Sequence, residues 1–381
     1  MRYRLGDICT IVSGSTPKTD IPEYWDGNVK WITPAELNDN SYIISDSVRK
    51  ITELAVTKTG LSSFPAGTVI LSSRAPIGKV AIAGCDMYCN QGFKNLICSE
   101  VINNRYLYWF LKGNTEYLNS LGRGATFKEI SKKIVSDIEI NVPEIKVQEE
   151  AVHILENISG VIQLRKQELQ ILDGLIKARF VELFGDTVLN PFQWNKDLLG
   201  MVCDVRDGTH DSPQYYETGF PLVTSKNVTG GRIDLTDCSL ICKADYEKIN
   251  ERSKVDMGDI IMPMIGTVGK PVIVDIEPLF AIKNVALIKF RADSRVLNSY
   301  VQALLQSDYF DDAVFSKVRG GTQKFISLGD IRKLEVLVPP MERQQQFATF
   351  VAQVDKSKAQ VQKSLNETQL LFDSLMQKYY G

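Results

Sequence analysis

Few residues of this 381-residue chain have the type and spacing for covalent chemistry. The two histidines, His153 and His210, lie far apart and leave little for histidine-based catalysis or a His-rich metal site. Gly78-Lys79 and Gly269-Lys270 are Gly-Lys pairs, but neither is followed by Ser or Thr or preceded by the glycine that a phosphate-binding loop requires. Asn190-Pro191-Phe192 lacks one proline of the Asn/Asp-Pro-Pro-aromatic motif of amino-methyltransferases, and no Gly-rich cofactor loop follows an early strand. A turn between domains fits it better. Asp137 with Glu144-Ile145-Lys146 is half of a nuclease carboxylate–lysine set, a triplet that chance supplies often. Cys85/Cys89 and Cys238/Cys242 are C-x3-C pairs that do not coincide under the repeat described below, and zinc needs four ligands at matched spacing. They read as buried thiols. No catalytic residue and no metal site is expected.

A different chemistry is better supplied. Hydrogen bonding to base edges and phosphates needs Arg, Lys, Asn, Gln, Ser and Thr on loops. The first part of the chain offers Ser13, Thr16 and Lys18 in SGSTPK, then Thr33, then Ser73 and Arg74, then Asn90, Gln91 and Lys94, and Lys128. The second offers Arg206 and His210, then Ser225, Lys226 and Asn227, then the Met264–Thr267 loop, then Lys283 and Asn284, and Thr322 and Lys324. Each group follows or interrupts an apolar run, so each is expected at a strand end. Any one of them taken alone is equally an ordinary polar turn.

The elements that carry these loops occur twice. Tyr3-Arg4-Leu5-Gly6-Asp7-Ile8-Cys9 is echoed by Asp197-Leu198-Leu199-Gly200-Met201-Val202-Cys203, Gly67-Thr68-Val69-Ile70 by Gly258-Asp259-Ile260-Ile261, and Arg123-Gly124-Ala125-Thr126 by Arg319-Gly320-Gly321-Thr322. Val142-Pro143 matches Val338-Pro339, and Gln148 matches Gln344. The order never changes, which indicates duplication. The framework repeats while the loop residues differ: Arg74 falls opposite Ile265, and Lys18 opposite Ser212. Two domains with one skeleton and different tips would read two different short sequences.

Residues 1–145 alternate short apolar runs (VKWITPAEL, GTVILSS, KVAIAG, KNLICSE, DIEINVP) with Gly, Pro, Asn and Asp, and hold a helical stretch near Asn104–Asn119. Residues 187–340 repeat the pattern with GFPLVTSK, DIIMPMIG, KPVIVDI, FAIKNVALIKF and KLEVLVPP, and a helical stretch near Asn298–Asp312. Each copy closes on a long helix, over 146–186 and 341–381. Steps of four and three through Ala151, Leu155, Ile158, Ile162, Arg165, Leu169, Leu172, Ile176, Arg179 and Leu183 trace a narrow apolar seam. The same steps through Phe347, Val351, Val354, Lys358, Val361, Leu365, Thr368, Phe372, Leu375 and Tyr379 trace a second. The expected architecture is mixed α/β: two repeated α/β domains separated by two long antiparallel coiled-coil helices, with a pseudo-twofold relation.

Composition narrows the class. Net charge is −2, from 44 basic and 46 acidic residues, which argues against a DNA-coating protein. Residues 1–140 hold 16 basic and 14 acidic groups, and residues 187–340 hold 18 and 20. A DNA binder this nearly neutral needs partners to supply further phosphate contacts. No apolar run reaches the ~18–20 residues of a membrane span. The start, MRYRLGDICTIV, lacks a signal-peptide core, and the seven scattered cysteines suit a reducing cytoplasm.

Along essentially its whole length the chain resembles the specificity subunits of type I restriction–modification enzymes. The likeness rests on Leu5-Gly6-Asp7, Trp31-Ile32-Thr33-Pro34, Ile70-Leu71-Ser72-Ser73-Arg74-Ala75-Pro76-Ile77-Gly78, Asn90-Gln91-Gly92-Phe93-Lys94, and Val142-Pro143 followed by Gln148 and Ala151. The second half matches less fully, with Met262-Pro263-Met264 in place of the Ser-Ser-Arg stretch. The resemblance implies two target-recognition domains, each followed by a helical spacer, that read a bipartite, asymmetric site in double-stranded DNA. It implies a non-catalytic chain that docks two modification subunits and two restriction subunits, with S-adenosylmethionine, ATP and Mg bound by those partners. The docking surface would include Glu149, Glu150 and His153 on the first helix, Gln345, Gln346 and Thr349 on the second, and the terminal Tyr379 and Tyr380. Two other readings compete: a divergent methyltransferase, which would transfer methyl groups unaided, and a two-site protein scaffold, which would show no DNA sequence preference.

Leu172-Asp173-Gly174-Leu175 aligns with Phe372-Asp373-Ser374-Leu375 at an offset of 200, four more than the upstream matches, so the helices tolerate about one extra turn. Inserting four residues between Gln163 and Gln167 should keep the fold and lengthen the unread gap of the DNA site by about two base pairs. Methylation of only the parental gap by the insertion variant would show that this helix does not set the spacing.

Overall fold

The computed structural model describes residues 1–74, 76–124, 128–264, 270–308, 310 and 325–381. It divides into two units, residues 1–166 with 364–381, and residues 167–363.

In the first unit, a five-stranded sheet runs in the order Cys9–Ser13, Lys94–Cys98, Val69–Leu71, Val80–Ala83, Ile43–Ile44. Its central strands read as unbroken apolar runs because both faces are covered. Val69, Leu71, Val80 and Ile82 face a core built on helix Asn104–Gly113, while Ile70, Ala81 and Ala83 face a second core around Ile32, Phe64 and Phe93. A smaller sheet places Trp25–Ile32 antiparallel to Lys50–Ile51 and parallel to Tyr88–Cys89. Arg2–Arg4 pairs with Glu139–Asn141, which ties the start of the globular part to its end. The helical stretch after 103 is two helices, Asn104–Gly113 and Thr115–Ser120, and Asn103 caps the first by accepting from the Arg105 and Tyr106 amides.

The second unit repeats this plan. Its larger sheet runs Asp204–Asp207, Val285–Lys289, Ile260–Pro263, Val272–Ile273. Met262 and Ile288 face one core and Ile261 and Leu287 the other. Phe220–Val223 lies antiparallel to Ser239–Ile241 and parallel to Ala281–Ile282, and Asn195–Leu198 pairs with Glu335–Val338. The run FAIKNVALIKF is two strands in two different sheets. It breaks at Asn284, whose φ of 55° is left-handed. Asparagine tolerates that conformation better than a β-branched residue would.

The two long helices are Ile145–Phe184 and Met341–Tyr380, of 40 residues each. Every seam position named above is buried or half-buried. Within the second unit, Phe180 meets Phe347 and Asp173 meets Lys358, so the two helical segments there run antiparallel. The 2.7 Å Lys358–Asp173 ion pair accounts for a lysine on an apolar seam.

A fully buried glutamine joins each helix to its globular part. Gln148 Oε1 accepts from the Asn103 amide at 2.8 Å, and its Nε2 donates to the carbonyls of Val101 at 3.0 Å and Pro143 at 2.8 Å. Gln344 does the same: Oε1 accepts from Leu297 at 2.8 Å, and Nε2 donates to Arg295 at 3.0 Å and Pro339 at 2.8 Å. Truncating either side chain strands one buried donor and two acceptors, each costing about 1–3 kcal/mol if no water reaches it. Gln148→Ala should therefore destabilise the chain by at least about 2 kcal/mol in urea denaturation, against under about 0.5 kcal/mol for the exposed neighbour Glu149→Ala. Equal effects of the two would refute the role given to Gln148.

Candidate nucleic-acid interface

The candidate loops converge where the chain passes from the small sheet to the large one. In the first unit that passage is Asn90–Phe93, between Tyr88–Cys89 and Lys94–Cys98. The Ser13–Lys18 loop lies directly over it: a Cβ on Gly14 would fall 2.0 Å from the Cys89 carbonyl oxygen and 2.4 Å from that of Asn90. Only glycine permits this approach. The loop is held further by Thr16 Oγ1 on Gln91 Oε1 at 2.5 Å, and by the indoles of Trp31 and Trp25, which donate to the carbonyls of Ser15 and Lys18 at 3.1 Å each. Asn90 turns inward, its Oδ1 accepting from the Gly92 amide at 2.9 Å. Ser13, Thr16, Lys18, Gln91 and Lys128 are exposed.

The second unit repeats the geometry with other residues. The passage is Lys283-Asn284, and a Cβ on Gly208 would lie 2.4 Å from the Ile282 carbonyl oxygen. His210 bridges Asn284 Oδ1 at 2.8 Å through Nδ1 and Asp207 Oδ2 at 2.9 Å through Nε2. The buried Asp207 carboxylate also takes Arg252, and Lys283 Nζ donates to Ser212 Oγ at 2.8 Å.

Other candidates lie beside the crossover, where the Ser73 amide donates to the Gly92 carbonyl at 2.7 Å, or in turns of their own. Arg74 is exposed and paired with Glu129, Nε to Oε2 at 2.9 Å, and Lys94 reaches the other oxygen of the same carboxylate at 3.3 Å. Burial raises the affinity of Glu129 for a proton, but the hydrogen bonds from Arg74 and Lys94 outweigh it and hold the carboxyl below its ordinary range. Ser73 and Lys94, expected among the DNA contacts, are buried in this chain, with Lys94 Nζ donating to Ser73 Oγ at 3.3 Å and pairing with Glu129. Asn227 is likewise buried and, with Thr224, closes a capping box. Thr33 does so with Glu36. Both serve the backbone of their own turns. Ser225 is half-buried in the Asn227 turn, Lys226 is exposed, and Arg206 is drawn to Asp204 at 2.7 Å and to the Arg252 carbonyl. Thr322, Lys324 and residues 265–267 lie outside the described residues. Sequence reasoning missed Glu129, Arg252 and the two tryptophans. Their types are common in surface turns and cores, and only the tertiary contacts assign them here.

Among the described residues no cluster of metal-ligating side chains occurs. Cys89 is buried, and Cys85, Cys238 and Cys242 are half-buried. Burial pushes the Cys89 and Cys203 thiols up to about 12, keeping them protonated. On the long helices Glu149, Glu150, His153, Gln345, Gln346 and Thr349 are exposed around the two buried glutamines. Tyr379 and Tyr380 are not free anchors. The Tyr380 ring packs 4.8 Å from that of Tyr106, its hydroxyl donates to the Tyr106 carbonyl at 3.1 Å, and Tyr106 donates to the Tyr379 carbonyl at 3.3 Å. They fasten the end of the second helix within the first unit.

His210 sits with both ring nitrogens on acceptors, an arrangement that favours the imidazolium. The hydrogen bonds to Asn284 and then Asp207 raise its pKa above the ordinary 6.5. A raised pKa means the stabilisation is fully present below about pH 6.5 and is lost as pH rises through the folded value. NMR titration should place the His210 midpoint above 6.5, and Asn284→Ala should move it down. A midpoint at or below 6.5 would contradict this bonding pattern.

Comparison with known proteins agrees with the duplicated plan. The family described as type I restriction modification DNA specificity domain matches residues 1–173 and again 191–368. The MjaIX specificity subunit of Methanocaldococcus jannaschii is 32% identical, over 98% of this chain and 91% of its own length. The MjaVIII specificity subunit of the same organism is 22% identical, over 95% and 89%. The crystal structure of the S subunit of the type I system of M. genitalium superposes with a TM-score of 0.60 at 15% identity, covering 100% of this chain and 96% of that one, a likeness of fold. With two family matches covering most of its length and a frame built twice, the chain belongs to the type I restriction–modification DNA specificity family.

Proposed function

We propose that this chain gives a type I complex its DNA sequence specificity, one unit reading each half of a bipartite, asymmetric site in double-stranded DNA. The observation that carries the reading is the pair of glycine-seated loops, at Gly14 and Gly208, each pressed on its sheet crossover and each carrying different polar side chains. Thr16 and Gln91 meet in one, His210 and Asn284 in the other. One frame thus presents two unlike hydrogen-bonding sets, as recognition of two unlike sequences requires.

The chain is non-catalytic in this reading and recruits its chemistry. Two modification subunits and two restriction subunits join it, and S-adenosylmethionine, ATP and Mg are theirs. The docking faces are the outer sides of the long helices, with Glu149, Glu150, His153, Gln345, Gln346 and Thr349. Exposed apolar side chains on these helices, Leu164, Ile171 and Leu370 among them, support this. Among the described residues no helix is long and apolar enough to cross a membrane, and a cytoplasmic setting suits a complex that acts on chromosomal DNA.

Methylome sequencing of cells with and without the gene, together with its modification subunit, tests the reading. A bipartite methylated motif that vanishes with the gene is expected, and no change in the methylome would refute it. Arg74→Ala should weaken cognate binding of the complex by about 1–3 kcal/mol and relax preference at one position of one half-site. An equal loss on every duplex would make Arg74 a phosphate anchor.

A further inference from the structure

We propose that Arg49 is a DNA-phosphate contact of the first unit, held ready by stacking on Trp25. This rests on the DNA-reading function proposed above. Its guanidinium carbon lies 3.9 Å from the centre of the Trp25 ring and 5.6 Å from that of Trp31. The two indoles meet edge to face, 5.2 Å apart at 81°. Those same indoles donate to the Lys18 and Ser15 carbonyls. A single aromatic pair therefore carries the Ser13–Lys18 loop on its N–H edges and Arg49 on a ring face, which sets the arginine beside the loop.

Arg49 is exposed, and its guanidinium has no hydrogen bond or carboxylate partner among the described residues. Arg74 and Arg105, by contrast, are paired with Glu129 and Glu156. Two acids in this part of the chain are engaged with other groups. The Glu36 carboxylate accepts from the Thr33 amide and hydroxyl and from the Val48 amide, and Asp46 pairs with Lys50 at 3.3 Å. Stacking fixes the plane of the guanidinium and leaves its N–H edge open, a geometry suited to two phosphate oxygens that a lysine ammonium does not reproduce. A phosphate contact positions the domain without reading sequence, so Arg49 would set the register in which Thr16 and Gln91 meet the bases.

The test uses the full chain assembled with its modification subunits, and measures binding to a cognate and a scrambled duplex from 50 to 200 mM salt. Arg49→Gln should weaken both duplexes by a similar factor, and should lower the slope of log K against log salt by about 0.9. Over that fourfold salt range the affinity of the variant should fall about threefold less than that of the wild type. Trp25→Phe keeps a ring beneath Arg49 but removes the donor to Lys18, so it should alter the preference between duplexes and leave the slope unchanged. A wild-type slope for Arg49→Gln on both duplexes would overturn the proposal. A change in preference alone, matching Trp25→Phe, would also overturn it and make Arg49 only a support for the loop. A wild-type complex that binds both duplexes equally would instead refute the sequence-reading function, and the slope on the scrambled duplex would still decide whether Arg49 meets phosphate.

Discussion

Each long helix must leave its globular part at a fixed angle, or the glycine-seated loops lose their relation to the helices that carry them. A single buried amide side chain imposes this. Gln148 and Gln344 each bind one amide and two carbonyls from the chain just before their helix and from the turn ahead of the internal helix. Leaving such groups without partners is costly, so the helix start and the domain hold one another in register. Neighbouring contacts recur in the same way. Tyr106 donates to the Asn141 carbonyl and Tyr300 to that of Leu337, while Asn104 and Asn298 donate to Gly67 and Gly258. The frame is thus built twice from the same interactions. The far end of the opposite helix completes each core, Tyr380 against Tyr106 in one unit and Phe180 against Tyr300 in the other.

Against this repeated frame the tips differ in how their charges are held. Arg74 and Lys94 share Glu129, Arg252 and His210 share Asp207, and Arg206 takes Asp204. These internal pairs fit a chain of net charge −2. They weaken its general attraction for phosphate, and DNA that draws an arginine away must replace what it gave up. Paired tips therefore favour selectivity over tight indiscriminate binding. On the functions proposed above, the phosphate contacts that supply affinity would come from the partner subunits and from groups such as Arg49.

Much of this was legible in the sequence. The echo of Gln148 in Gln344 is visible as two letters at one offset, and the four-and-three steps of the seams correspond to buried or half-buried positions along both helices. Loop placement at strand ends was legible too, because Gly, Asn and Ser interrupt apolar runs. What residue type could not convey is the direction of a side chain. Ser73 and Lys94 sit in polar stretches, yet both are buried, Lys94 bonded to Ser73 and paired with Glu129. Asn227 belongs to a cap because Thr224 lies three residues before it, a local signal that its resemblance to a DNA-binding residue obscured. Tyr379 and Tyr380 look like a loose aromatic tail until the fold brings Tyr106 and Phe110 to them across some 270 residues.

Hydrogen exchange of the assembled complex, with and without a cognate duplex, tests the whole account most directly. It predicts slow exchange at the Asn103 and Leu297 amides, which donate to the buried glutamines, whether or not DNA is present. It predicts new protection on DNA binding in residues 13–18 and 90–93 of the first unit and 207–212 and 283–284 of the second. Protection confined to one unit, or to the long helices, would contradict it.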